Sequence, residues 1–209
     1  MFDNLISTTI VATVYDAGTI IAADKQGTMM PTMDKLPYEV TKIVQLSGFT
    51  MAGVAGLPKM LEVLGEVRRV FESWEKLYGR EVSPDGQFNF LKQAPLILPI
   101  GKEGVASSIL MAAFAHDTGK GRVFSFAPSF AMEVLNYAAI GSGGEACLSS
   151  LELCRYRTDM SFEEAVRQVA NALRYSHGKN AGVGGKFLGY RLDAGGMRDI
   201  SVLLNSREA

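Results

Sequence analysis

The sequence predicts an α+β fold, a four-layer αββα sandwich in which two antiparallel sheets face each other between helix layers. Two observations carry this prediction. Segments of strand composition come in pairs across short glycine turns, and the helical segments are grouped, one long helix after the early strands and two in succession after the later ones. At 209 residues and 47% hydrophobic, the chain is long enough to bury one substantial core.

Residues 9–15 and 19–24, rich in Ile, Val and Thr, flank "DAG" and read as a hairpin with Gly18 in its turn. After a polar stretch holding Pro31 and Pro37, "TKIVQLSGFTMAGVAG" supplies strands 41–46 and 49–54 around Ser47-Gly48. From Pro58 onward Met60, Leu61, Leu64, Val67, Val70, Phe71, Trp74 and Leu77 recur at three- and four-residue steps, the stripe of an amphipathic helix ending near Gly79. Residues 83–97 fit a short helix or an irregular connection. "SSILMAAFAHD", "GRVFSFAP" and "MEVLNYAAIG" read as three strands, and "GSGG" then turns the chain into a helix over 144–157. Ser161 and Glu164 form a capping box that opens a helix carrying Val166, Val169, Ala170 and Leu173. "GKFLGYRLD", "AGG" and "MRDISVLLN" form a closing hairpin.

A formal charge of -1 with no basic block gives no electrostatic footprint for nucleic acid or an anionic membrane. No apolar run approaches the roughly 18 residues of a membrane span, and Asp3 stands where a secretion signal would be basic. Cys147 and Cys154 are about two helical turns apart, too far for a disulfide, which suits a reducing, cytoplasmic setting. His116 and His177 lack companions at ligand spacing, so no metal site and no cofactor are expected.

The chemistry concentrates at "STTIV". A hydroxyl is a weak nucleophile unless a base takes its proton. A chain beginning at Thr8 would carry that base itself, because a free α-amine titrates at about 7.7–8.0 and stays within reach of the same residue's Oγ. Residues 1–7, "MFDNLIS", are then a propeptide, and residues 8–209 the single working domain.

"TTIVATVYDAGTIIAAD", "TKIVQL", "FTMAGVAG" and "AIGSGGEA" resemble proteasome β-subunits and the bacterial HslV-type peptidase, members of the N-terminal-nucleophile hydrolases. The resemblance covers most of the chain outside residues 80–135. It implies that Thr8 is the nucleophile, that Asp24 partners Lys42, and that Lys42 rather than Lys35 is the lysine, because it directly precedes the strand "IVQL". It further implies an oxyanion-hole amide at Gly53, a serine near the nucleophile's amine at Ser142, and substrate-backbone pairing at Thr28 and Ala55. Met51 and the small Gly27 match positions around an apolar pocket for large hydrophobic side chains. The implied protein is a threonine endopeptidase subunit of homo-oligomeric stacked rings, acting on peptides or unfolded protein and served by an ATP-dependent unfoldase.

The pattern has departures. Ser7 replaces the glycine that many members with propeptides carry before the threonine, which leaves Thr9 as the next candidate N-terminus. Asn180 and Val183 stand where many β-subunits have Asp and Ser. A small-amide hydrolase of the same superfamily and a silent ring-forming subunit are the alternatives. "GKNAGVGGKF" lacks the spacing of a phosphate-binding loop.

Overall fold

The computed structural model describes residues 8–29, 34–56, 59–93, 107–127, 130–180 and 183–206. The first hairpin pairs β1 (Ile10–Tyr15) with β2 (Gly18–Asp24), in register from Ile10 opposite Ala23 to Tyr15 opposite Gly18. β10 (Tyr137–Ile140) adds to the free side of β1, and β11 (Phe187–Asp193) and β12 (Gly196–Asp199) add beyond β2. The second sheet runs β5 (Ile43–Ser47), β6 (Thr50–Ala55), β7 (Ser108–Ala115), β8 (Lys120–Ala127) and β9 (Phe130–Val134) in sequential order. A small third sheet pairs β3 (Gln26–Met29) with β4 (Asp34–Glu39).

Strand alternation explains the layers. Ile10, Ala12, Ile21 and Ala23 point inward against Met51, Leu110, Ala112 and Val123 of the facing sheet. Their neighbours Val11, Ile20 and Ala22 point outward onto α3 (Gly144–Leu153) and α4 (Phe162–Lys179), meeting Cys147, Leu151, Val169 and Leu173. On the other side Ala52, Val54, Ile109 and Met111 meet Met60, Leu64 and Phe71 of α1 (Lys59–Tyr78) and Leu91 of α2 (Pro84–Gln93). Both faces of the central strands are covered, so their sequences read as continuous apolar runs. Each fully buried aliphatic side chain contributes roughly 1.5–3 kcal/mol. The predicted four-layer sandwich is the observed architecture.

Three local differences have physical causes, and two segments left open by the sequence take definite form. Residues 132–141, read as one strand, divide between β9 and β10 in opposite sheets. The chain crosses at Leu135 and Asn136, where Asn136 O accepts the Val14 amide at 2.7 Å. The closing strand ends at Asp199, and Ser201–Asn205 forms a short helix, α5. Ile200 and Leu204, both buried against α4, are spaced four apart, which suits a helix as well as a strand, and Asp199 Oδ1 takes the Ser201 amide at 2.7 Å. The helix expected to 157 stops at Leu153, because Arg155 adopts φ 53° and the Tyr156 amide turns back to Leu151 O at 3.0 Å. The polar stretch after Lys25 supplies β3 and β4, which pair antiparallel. Of the two readings of residues 83–97 the short helix holds over α2, with Pro84 in the first helical position, where a missing N–H costs nothing; residues 94–97 lie outside the described residues, as does the expected propeptide, 1–7. The capping serine is in place, with Ser161 Oγ accepting the Glu164 amide at 3.2 Å.

Candidate active site

Thr8 and Thr9 lead into β1 and lie against the turn that joins β10 to α3. The Thr8 amide donates to Ser142 Oγ at 3.1 Å, and the Gly143 amide donates to the Thr8 carbonyl at 3.2 Å. Ser142 Oγ also reaches that carbonyl at 3.4 Å. This close approach requires glycine at 141: φ is 90°, and a Cβ would collide with the Thr8 carbonyl oxygen. "GSGG" is therefore a cradle built around the Thr8 backbone.

The second half of the site comes from the end of β2 and the residue before β5. Lys42 Nζ lies 2.9 Å from each oxygen of Asp24 and 2.6 Å from Gln26 O. Asp24 also accepts the Thr9 amide at 2.7 Å and the Gly184 amide at 3.5 Å. The carboxylate is fully buried and the lysine 3% exposed. Burial pushes the Lys42 ammonium below the usual lysine range, and the Asp24 charge opposes that shift. An isolated charge here would be intolerable, whereas the paired and hydrogen-bonded set is satisfied. Thr8 is thus one peptide unit from the amide that Asp24 holds.

Two α4 residues, Ser176 and His177, and the helix's C-cap, Asn180, complete the surroundings. Thr9 Oγ1 and Ser176 Oγ are 2.9 Å apart, both fully buried, and Ser176 Oγ donates to Gly143 O at 2.9 Å. Because Ser176 has one proton and gives it to Gly143, Thr9 is the donor in their mutual bond. Asn180 Nδ2 donates to Ser142 O at 2.9 Å. His177 packs on Phe187 at 4.6 Å between ring centroids, and its buried Nε2 has no hydrogen-bond partner among the described residues. Burial lowers its pKa; Asp24 pulls the other way, and Lys42 and Lys35 push with burial.

Of the residues singled out from sequence, Thr8, Asp24, Lys42, Ser142 and Asn180 fall in this one cluster. Gly53 lies in mid-β6, where a Cβ would come 2.7 Å from Ile10 Cγ2, two residues along from Thr8. Met51 is buried in the inter-sheet core, and Ala55 ends β6. Gly27 and Thr28 belong to the small sheet, with Gly27 covered by Leu36 and Val40 and Thr28 opposite Lys35. Sequence reading missed Ser176, Gly143 and Gly184. Ser176 was signalled faintly, falling three residues beyond Leu173 on the apolar stripe of α4.

A two-sheet sandwich between helix layers, with a threonine at the mouth of its first strand beside a buried Lys–Asp pair, is the fold of the N-terminal-nucleophile hydrolases. Within that class the chain belongs to the proteasome subunit family, whose model matches residues 6–187. A proteasome subunit beta of Frankia casuarinae is 34% identical over 189 residues, covering 85% of this chain and 65% of the relative. One from Frankia alni is 33% identical with the same coverage, and one from Acidothermus cellulolyticus is 31% identical over 93% of this chain and 71% of its own length. The chain thus spans 65% of the length of the two Frankia relatives. Among the described residues no helix is long and apolar enough to cross a membrane.

Proposed function

We propose that this chain is a threonine endopeptidase subunit of a proteasome-like ring protease, with Thr8 as its nucleophile once residues 1–7 are removed. The observation that carries the reading is the grip on Thr8, whose amide meets Ser142 Oγ at 3.1 Å while the next amide meets Asp24 at 2.7 Å. Thr9 is the poorer candidate, because its hydroxyl is sealed from solvent and engaged with Ser176.

Thr8 Oγ attacks the carbonyl carbon of the scissile bond, and its proton passes to the freed Thr8 amine. The Lys42 ammonium, fixed by Asp24, favours the alkoxide-like hydroxyl electrostatically. The Gly53 amide receives the developing oxyanion, a contribution worth about 10²- to 10³-fold in rate. The C–N bond then breaks, and the leaving amine takes the proton held by the Thr8 amine, leaving an ester on Thr8. Water attacks that ester, gives one proton to Thr8 Oγ, and releases the acid. Thr28 and Ala55 pair with the substrate backbone as an added strand, and Met51 and Gly27 shape an apolar first pocket. Peptides or unfolded chains enter homo-oligomeric stacked rings in the cytoplasm, delivered by an ATP-driven unfoldase.

Intact mass and particle size test this reading. Active preparations should lack residues 1–7 and run as a large ring, and Thr8→Ala should assemble, retain "MFDNLIS" and hydrolyse no peptide. Full activity of Thr8→Ala overturns the assignment. A ring that keeps its first seven residues and cleaves nothing indicates a silent subunit.

A further inference from the structure

We propose that Ser176, on α4, is a positioning residue for the Thr8 nucleophile, acting through Thr9 and Gly143. The inference rests on the reading of Thr8 given above and names a residue that reading does not use.

The geometry is a closed circuit around one glycine. The Gly143 amide is bonded to the Thr8 carbonyl at 3.2 Å, and the Gly143 carbonyl accepts Ser176 Oγ at 2.9 Å. Ser176 in turn accepts the Thr9 hydroxyl at 2.9 Å. The Thr8-Thr9 segment is therefore tied to Gly143 twice, once directly and once through Ser176. Side chains of Thr9, Ser176 and Val183 all close on the bare Cα of Gly143: a Cβ there would collide with both hydroxyl oxygens and lie 3.1 Å from Val183 Cγ2. Val183 is apolar and buried, so it offers this carbonyl no side-chain hydrogen bond.

Ser142, the residue before Gly143, holds the Thr8 amide. A rotation of the 142–143 peptide would swing that serine away from the group that must act as base. Ser176 opposes the rotation by fixing the far side of Gly143. Both hydroxyls are fully buried, so removing one leaves its partner without an easy replacement from solvent. A misplacement of about 1 Å costs on the order of 10²-fold in rate, so partial loosening is expected to cost about tenfold.

The test is a kinetic double-mutant cycle on the full-length chain, with Ser176→Ala, Thr9→Val and the double variant, using a fluorogenic peptide and following release of residues 1–7 by mass. The expected result is kcat lowered about tenfold with KM within about twofold, slower release of residues 1–7, and a double variant no worse than the poorer single one. A lowered melting temperature with kcat unchanged makes Ser176 a packing residue and overturns the inference while leaving Thr8 in place. Fully additive losses in kcat overturn the coupling through Thr9. Wild-type protein without Thr8-dependent hydrolysis overturns the reading and this inference together.

Discussion

Lys42 grips Asp24 symmetrically, with Nζ 2.9 Å from both carboxylate oxygens, inside a core where neither side chain is more than 3% exposed. The same carboxylate holds the Thr9 amide, so the pair is at once a structural tie and the electrostatic neighbour of Thr8.

Breaking the pair from one side should therefore harm stability and activity together. Asp24→Asn leaves a buried ammonium uncompensated, and Lys42→Ala leaves a buried carboxylate with only amide donors. Each is expected to cost about 3–5 kcal/mol in urea denaturation and to lower peptide hydrolysis at least 10²-fold. Lys42→Arg should not rescue, because a planar fork cannot replace a point charge that also reaches Gln26 O. Wild-type stability in Asp24→Asn would contradict the buried-charge account.

His177 predicts an acid-side pH dependence. Its pKa is depressed in the folded protein below its ordinary value of 6.5, chiefly by burial. The unfolded chain therefore binds the proton more readily. The stabilising contribution of neutral His177 is complete above pH 6.5 and is lost as pH falls through the folded pKa. Denaturation midpoints measured from pH 7.5 to 5 should fall, and His177→Gln should flatten the decline. An identical slope in that variant would assign it to other groups.

The fold was legible because its strands are bounded by glycine turns and its helices carry full apolar stripes, as Leu64 and Phe71 in α1 show. The errors arose where local pattern is indifferent to tertiary choice. Ile200 and Leu204 satisfy either a strand or a helix, and nothing local to 132–141 announces that its two halves belong to different sheets. Asp24 and Lys42 were recovered by resemblance, since an 18-residue separation carries no contact information by itself. Ser176 stayed hidden because a serine near a helix end usually faces water, and its role depends on two partners 33 and 167 residues away.

Ser142→Ala removes the hydroxyl that meets the Thr8 backbone nitrogen at 3.1 Å and its carbonyl at 3.4 Å. The hydroxyl sits at the start of the α3 turn, where its loss should cost only about 0.5–1.5 kcal/mol of stability. On the proposed mechanism hydrolysis should fall about tenfold, with kcat affected more than KM, because the lost bond would orient the proposed base and leave the substrate strand untouched. Steady-state kinetics showing a change in KM alone would instead place Ser142 in substrate binding.

Two glycines give opposite outcomes from the same substitution. Gly65 sits inside α1, and a Cβ there meets nothing within 4 Å. Gly65→Ala removes backbone freedom from the unfolded chain without strain, so thermal denaturation should show stabilisation of about 0.5–1 kcal/mol and hydrolysis should be unchanged. At Gly141 the added methyl meets both a φ of 90° and the Thr8 carbonyl. Strain alone costs about 1–3 kcal/mol, and the collision can be relieved only by moving Thr8 or the turn that holds its amide. Gly141→Ala should therefore lose hydrolysis out of proportion to its loss of stability, a ratio that a purely structural glycine would not produce.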